Sequence, residues 1–296
     1  MGDSILSSKV EISLNAISRA MRATTSGKVM SVVTVPEQTP LSRGHDRTDE
    51  KRDVLNRAMR IAEENDVPVS GTIRIGHNAA DAILNTITQY DCDAVVVGWK
   101  GRRTHRRRDV ILGTNVDRVV CEADCDVYVE KFGMGADADI GSILLPTAGG
   151  PHATLAAETA GAIARRTGAT IHAVYVLAPD ASTEAHQLGE AILSDATASL
   201  DDVTVERRLL EHDDVVAALV DESANHDLTI IGATREGLIQ KFVFGTIPET
   251  VAERAQTTVI MTKRDLDLGS RLQQSIAKLR ERIGGETDPL EANDGE

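Results

Sequence analysis

The stretch DLTIIGATREGLIQKFVFGTIPETVAERAQTTVIMTK, residues 227–263, decides the fold. It opens with a continuous apolar run, 228–231, which reads as a strand covered on both faces, as in a parallel sheet. Gly232 ends the run, and Ala233, Thr234 and Arg235 follow. Residues 236–244 then lead to Gly245-Thr246, a short helical run to Arg254 and a second strand over 258–262. A Gly-Thr pair at a helix start leaves backbone N–H groups unpaired where the helix dipole favours negative charge. Gly245 and Thr246 therefore read as a place to hold an anion such as phosphate.

The same order recurs upstream. Residues 94–97 form a strand, Gly98-Trp99-Lys100-Gly101 its turn, Gly113-Thr114 a helix start and 127–130 the closing strand. Gly232 follows Gly98 by 134 positions, Gly245 follows Gly113 by 132, and Lys263 follows Lys131 by 132. So steady an offset over four elements is an internal repeat, and the chain is two copies of one module. The copies span 1–134 and 139–263, and the small, polar residues 132–139 make a natural boundary.

In the second copy, residues 143–145 form a first strand. Thr147-Ala148-Gly149-Gly150-Pro151-His152 is a tight turn into a helix over 153–166, which Gly168 stops. Residues 171–177 form the second strand and 203–209 the third. Ser182 caps the helix between them, to about residue 200, and Asp213 or Asp214 opens a helix through Ser223. Strand and helix thus alternate five times, the pattern of a parallel sheet covered on both faces. Right-handed crossovers restrict its topology, and ligands of such sheets bind at the carboxyl ends of the strands. Gly149 and Gly150 have two readings, ligand approach or turn geometry alone.

The first copy is less complete. Ser4-Ile5-Leu6 is the remnant of a first strand. Val10, Leu14, Ile17 and Met21 recur at helical spacing, with Gly27 as their stop. Residues 29–35 and 67–75 are strands, and 40–48 is a polar loop. Thr48 caps a helix to about Asn65 with Val54, Leu55, Ala58, Ile61 and Ala62 inward; Asn78 caps another carrying Ala79, Ile83, Leu84 and Ile87. Ile5 to Val33 is 28 positions where Ile143 to Tyr175 is 32, so the first strand of this copy is shortened or absent. Residues 100–108, KGRRTHRRR, are the most basic stretch of the chain. They attract phosphate, or they are a solvated loop that balances nearby carboxylates.

Strand, then G-x-x-G, then nine residues, then G-[ST] and a helix resembles the nucleotide-binding signature of universal stress proteins. The resemblance covers both copies and is closest to the tandem domains of haloarchaea, alone or fused to amino-acid transporters. It implies two doubly wound, five-stranded parallel-sheet α/β domains of the adenine nucleotide alpha hydrolase-like, Rossmann-like kind, strand order 3-2-1-4-5, the first with its shortened first strand. Neither signature is complete. The first copy has eleven residues, 102–112, between Gly101 and Gly113; the second has the nine, 236–244, but Arg235 replaces the second Gly and Gly237 lies two positions later. For the second copy the resemblance implies ATP or AMP at Thr147, Ala148, Gly149, Gly150, Val176, Gly232, Thr234, Arg235, Gly237, Gly245 and Thr246. Gly232 would let the backbone approach the ligand and Arg235 would add charge. Nucleotide-binding members carry P-x-D after the first strand; here Pro146-Thr147-Ala148 puts Ala148 in place of the Asp.

Composition narrows the function classes. The chain has 296 residues, 41% hydrophobic but only 2% aromatic, so the cores must be mostly Val, Ile, Leu and Ala. Net charge is −14, and only 8 of the 32 basic residues are Lys. An acidic, Lys-poor surface suits a high-salt cytoplasm, as in a halophilic archaeon; an ordinary acidic protein is the alternative. Nucleic-acid binding is not expected without a basic face. Cys92, Cys121 and Cys125 fit a reducing cytoplasm, and no zinc spacing accompanies them. No apolar run reaches the ~20 residues of a membrane span.

No enzyme is expected. The eight His are scattered, without an i,i+3 or i,i+4 pair, and there is no G-x-S-x-G or Walker loop. Residues 147–150 are similar to the Ser-Gly-Gly loop of ATP pyrophosphatases but lack its Ser and later Asp. At the tail, Leu272, Ile276, Leu279 and Ile283 form an apolar stripe on a helix within 264–284; it packs on its own domain or meets a partner helix. Residues 285–296 hold five acidic and no basic residues, the composition of a disordered tail. The expected protein is a non-catalytic, nucleotide-binding stress-response regulator, an internal pseudo-dimer joined at its fifth strands, 127–130 and 258–262, with homodimerisation open. The alternative is a nucleotide-free interaction module acting on a partner such as an amino-acid transporter.

Overall fold

The computed structural model describes residues 27–64, 66–99, 114–133, 140–234 and 244–266. The readings of Ser4–Leu6, the first helix, the basic loop, Arg235, Gly237, the C-terminal helix and the acidic tail lie outside these residues.

In the first copy, β1 (Gly27–Thr34) is followed by a 3-10 turn (Leu41–Arg47) and α1 (Thr48–Glu64). Then come β2 (Val69–Gly76), α2 (Ala79–Tyr90), β3 (Ala94–Trp99), α3 (Thr114–Glu122) and β4 (Asp126–Lys131). The second copy holds β5 (Ser142–Pro146), α4 (Pro151–Thr167), β6 (Thr170–Leu177), α5 (Thr183–Ala196) and β7 (Val205–Glu211). It ends with α6 (Val215–Ser223), β8 (Leu228–Gly232), α7 (Thr246–Arg254) and β9 (Thr258–Lys263).

The second copy has the order β7-β6-β5-β8-β9, all parallel, which is 3-2-1-4-5 in chain order. Every residue of β8 is buried, as its unbroken apolar run requires. Helix α4 lies on this sheet through Ala156, Ala157, Ala160, Ile163 and Ala164, all buried. Small residues let the helix come close, and the core holds almost no aromatic side chains. Three expected caps form: Asn78 accepts from Ala80 and Asp81, Ser182 from Ala185, and Asp214, not Asp213, from Val216 and Ala217.

In the first copy, β1 pairs with β2 and β3 with β4, both parallel, but the pairs belong to separate sheets. The strand that would join them was read at Ser4–Leu6. Three expectations for this copy need correction. Residues 41–47 are a 3-10 turn, not an irregular loop. Thr48 does not cap α1; it is helical, and its hydroxyl donates back to the carbonyl of His45. Val54 is 40% exposed, while Leu55, Ala58, Ile61 and Ala62 of the same helix are buried. Gly27 opens β1.

The two copies meet where β4 pairs antiparallel with β9, with Val129 opposite Met261. These are the joining edges read from the sequence. The pairing extends the sheet to seven strands and removes two open edges. One apolar cluster crosses it, with Trp99, Val127 and Val129 from one copy and Leu144, Val259 and Met261 from the other. The lysines at the strand ends cross as well: Lys131 donates to the carbonyl of Ala255 after α7, and Lys263 to that of Val120 in α3. Each places a cation at the carbonyl end of the other copy's helix, where the dipole is negative.

Gly133 follows β4 against the start of β9, and an added Cβ there would lie 2.2 Å from the carbonyl carbon of Thr257. Since backbone must then move, Gly133→Ala is expected to cost about 1–3 kcal/mol in urea unfolding. At the far end of the sheet, Asp227 Oδ2 accepts from Gly141 N–H (2.9 Å), Ser142 N–H (2.8 Å) and Ser142 Oγ (2.9 Å). Partial burial opposes its charge, but these bonds outweigh it and hold the carboxyl below its ordinary range. Asp227→Ala is expected to lower stability by ~0.5–1.5 kcal/mol, since solvent screens the carboxylate. The depressed value gives the sign: the contribution is present above the ordinary Asp range and is lost as pH falls through the folded value, so wild type and variant converge in acid.

Candidate functional site

Strands β5 and β8 run side by side, but the chain leaves them in opposite directions, from β5 to β6 and from β8 to β9. In sheets of this kind the ligand crevice lies at the carboxyl ends, where the order reverses.

Residues after β5 make one wall. Thr147 N–H donates to Val174 O (3.0 Å), and Thr147 Oγ1 accepts from Gly149 N–H (3.1 Å). That short turn uses one amide a ligand could have taken. Gly149 and Gly150 have φ of 77° and 90°, so turn geometry alone requires glycine at both. Ala148 is exposed and presents a methyl group where an acceptor was the family expectation. Val176, in β6 opposite Leu210, packs against the core cluster that contains Val174.

Residues after β8 make the other wall. A Cβ on Gly232 would lie 2.6 Å from the backbone of His152 and Ala153. The room left by its missing side chain is thus filled by the first turn of α4. Packing against α4 accounts for a glycine here without any ligand. Ala233 N–H donates to Thr262 O (2.8 Å) and Thr234 N–H to Phe244 O (2.8 Å). Thr234 and Phe244, the described residues on either side of 235–243, therefore meet in a closed neck. At Gly245, φ is 100° and an added Cβ would sit 1.9 Å from Thr234 Oγ1, which brings Thr234 and Gly245 together. Thr246, the first residue of α7, is exposed. Pro248 has no N–H, and among the described residues the N–H groups of Thr246 and Ile247 meet no protein acceptor.

Two contributors were missed from the sequence. Glu249 is 1% exposed, and its Oε1 accepts the N–H of buried Phe244 (3.0 Å), which fixes the neck. An acid four residues after Gly245 was the available signal, since acids favour a first helical turn. His152, also buried, accepts Arg264 N–H at Nδ1 (3.1 Å), and its carbonyl accepts from Thr262 Oγ1 (3.1 Å). It fastens the start of α4 to the end of β9, and a residue just past a Gly-Gly-Pro turn gives no hint of that. Among the described residues no group of three His, Cys, Asp or Glu could hold a metal ion, and no helix is long and apolar enough to cross a membrane.

Two α/β copies joined strand to strand, the second with its strand order reversing between β5 and β8, define a tandem doubly wound protein. The chain belongs to the universal stress protein family, whose model matches residues 10–131 and again 140–263. A universal stress protein from Archaeoglobus fulgidus DSM 4304 is similar with TM-score 0.63 and 18% identity, over 88% of this chain and 92% of that one. The cytoplasmic domain of a prokaryotic cation chloride cotransporter is similar with TM-score 0.54 and 11% identity, over 86% of this chain and 91% of that one. The Na(+)/H(+) antiporter NhaS5 of Synechocystis sp. is 22% identical over 213 residues, 70% of this chain. The chain spans 30% of that antiporter's length.

The backbone around Gly232 and Gly245 gives a direct check on the site's geometry. Gly232→Ala and Gly245→Ala are each expected to lower unfolding free energy by about 1–3 kcal/mol, from the clash at the first and the positive φ at the second. Urea unfolding by circular dichroism measures both; unchanged midpoints would show that the crevice is built differently.

Proposed function

We propose that this protein is a non-catalytic regulatory module that acts on a cation transporter from the cytoplasmic side. One coincidence carries the reading. A sequence comparison and a fold comparison, made independently, both reach cation transporters, and each match is longer than a single copy of the repeat. What resembles those transporters is therefore the joined pair and not a lone domain.

A second reading is that the second copy also holds ATP or AMP. The specific support is the start of α7, where Gly245 turns the chain and the Thr246 and Ile247 N–H groups face no protein acceptor among the described residues. Ala148 argues for a site that takes the phosphates and reads the adenosine weakly.

The full chain, carrying an affinity tag, is expected to retain a cation transporter from detergent-solubilised membranes of its source, identified by mass spectrometry. Adding the protein to the cytoplasmic face of vesicles holding that transporter is expected to change the flux about fivefold or more. Unchanged flux would overturn the regulatory reading. Calorimetric titration with ATP tests the second reading by itself: heat abolished by Gly245→Asp supports it, and no heat in the wild type removes it.

A further inference from the structure

The amino end of the second copy's sheet, opposite the crevice, holds two histidines in contact. His172 is in β6, between Leu144 of β5 and Glu206 of β7 in the strand register. His226 lies in the short connection between α6 and β8 and is 7% exposed. Their ring centroids are 4.6 Å apart, with the planes tilted by 45°. Each ring has one carboxylate: His172 Nδ1 is 3.2 Å from Glu206 Oε2, and His226 Nε2 is 3.2 Å from Glu222 Oε1. The same oxygen of Glu222 also takes the guanidinium of Arg208.

This arrangement fits a neutral ring at His172. With one proton, its imidazole donates to Glu206 and packs against the His226 ring. A second proton would put a cation against that ring and near Arg208. His226 itself lies against Glu222, and its Nδ1 is buried without a hydrogen-bond partner. The charged groups around the pair are Glu206 and Arg208 from β7, Glu222 from α6 and Asp227 from the connection itself. The two glutamates favour a charged ring. Burial first, and then His226, outweigh them and hold the His172 imidazole below its ordinary range.

The position gives this consequence. Asp227, next to His226, fastens the start of β5 through Gly141 and Ser142, and the next residue begins β8. We propose that His172 and His226 form a proton-operated joint, in which charging His172 against the His226 ring loosens the connection from α6 to β8 and with it the central strand pair of the second copy. Because the folded His172 value is depressed, the sign is fixed. Stability from the neutral His172 ring is present above the ordinary histidine range and is lost as pH falls through the folded value. Mild acid therefore acts here before it protonates Asp227, whose carboxyl is itself held low.

NMR titration of the histidine rings in the full chain, with amide exchange at about pH 7.5 and pH 5.5, tests the joint. His172 is expected to titrate below the ordinary ~6.5 of an exposed histidine. Amide protection at Leu228 and Thr229, corrected for the intrinsic effect of pH, is expected to fall about tenfold or more in acid while that of β9 holds. In His172→Phe, which keeps a ring against His226, the acid loss is expected to shrink. A His172 titration at or above the ordinary value, or protection that does not change with pH, would overturn the proposal. Both of those readouts come from the wild-type protein and need no variant to fold.

Discussion

The antiparallel pairing of β4 with β9 is the constraint on which the rest depends. A parallel α/β sheet ends in an edge strand whose N–H and C=O groups need partners. Here each copy supplies the partner for the other, and the register places Val129 opposite Met261 at the centre. Apolar side chains from both copies then form one cluster across the joint. The crossed lysines add charge-assisted bonds to helix ends that would otherwise be short of donors. Neither copy has a wholly private core.

Among the described residues the two copies present different sheets. The second is a complete five-stranded unit whose central strands are almost fully buried. In the first, the described strands fall into two pairs in separate sheets, and β3 is only half-buried where its counterpart β8 is entirely buried.

Much of this was legible in the sequence because periodicity is a strong signal over a repeat. The unbroken run at 228–231, the recurrence of Gly98 at Gly232 and of Lys131 at Lys263, and the short polar residues Asn78 and Ser182 before helices all report backbone chemistry directly. The site was less legible. Gly232 and Gly245 stood out as glycines, but a sequence does not say whether a missing side chain makes room for a ligand or for another part of the chain. At Gly232 the answer is the first turn of α4. Glu249 and His152 act through contacts with Phe244 and Arg264 that follow from tertiary packing, and Val54 shows that a helical stripe can be read one residue too wide.

Trp99 allows the claim of a shared core to be measured most directly. It is the only tryptophan, it lies in β3 of the first copy, and it is 4% exposed within the cluster that crosses the joint. Its fluorescence reports the first copy during urea unfolding, while far-ultraviolet circular dichroism reports helices of both. A single coincident transition by the two probes is the predicted result. Two separated transitions, with Trp99 exposed while the second copy remains folded, would contradict a common core.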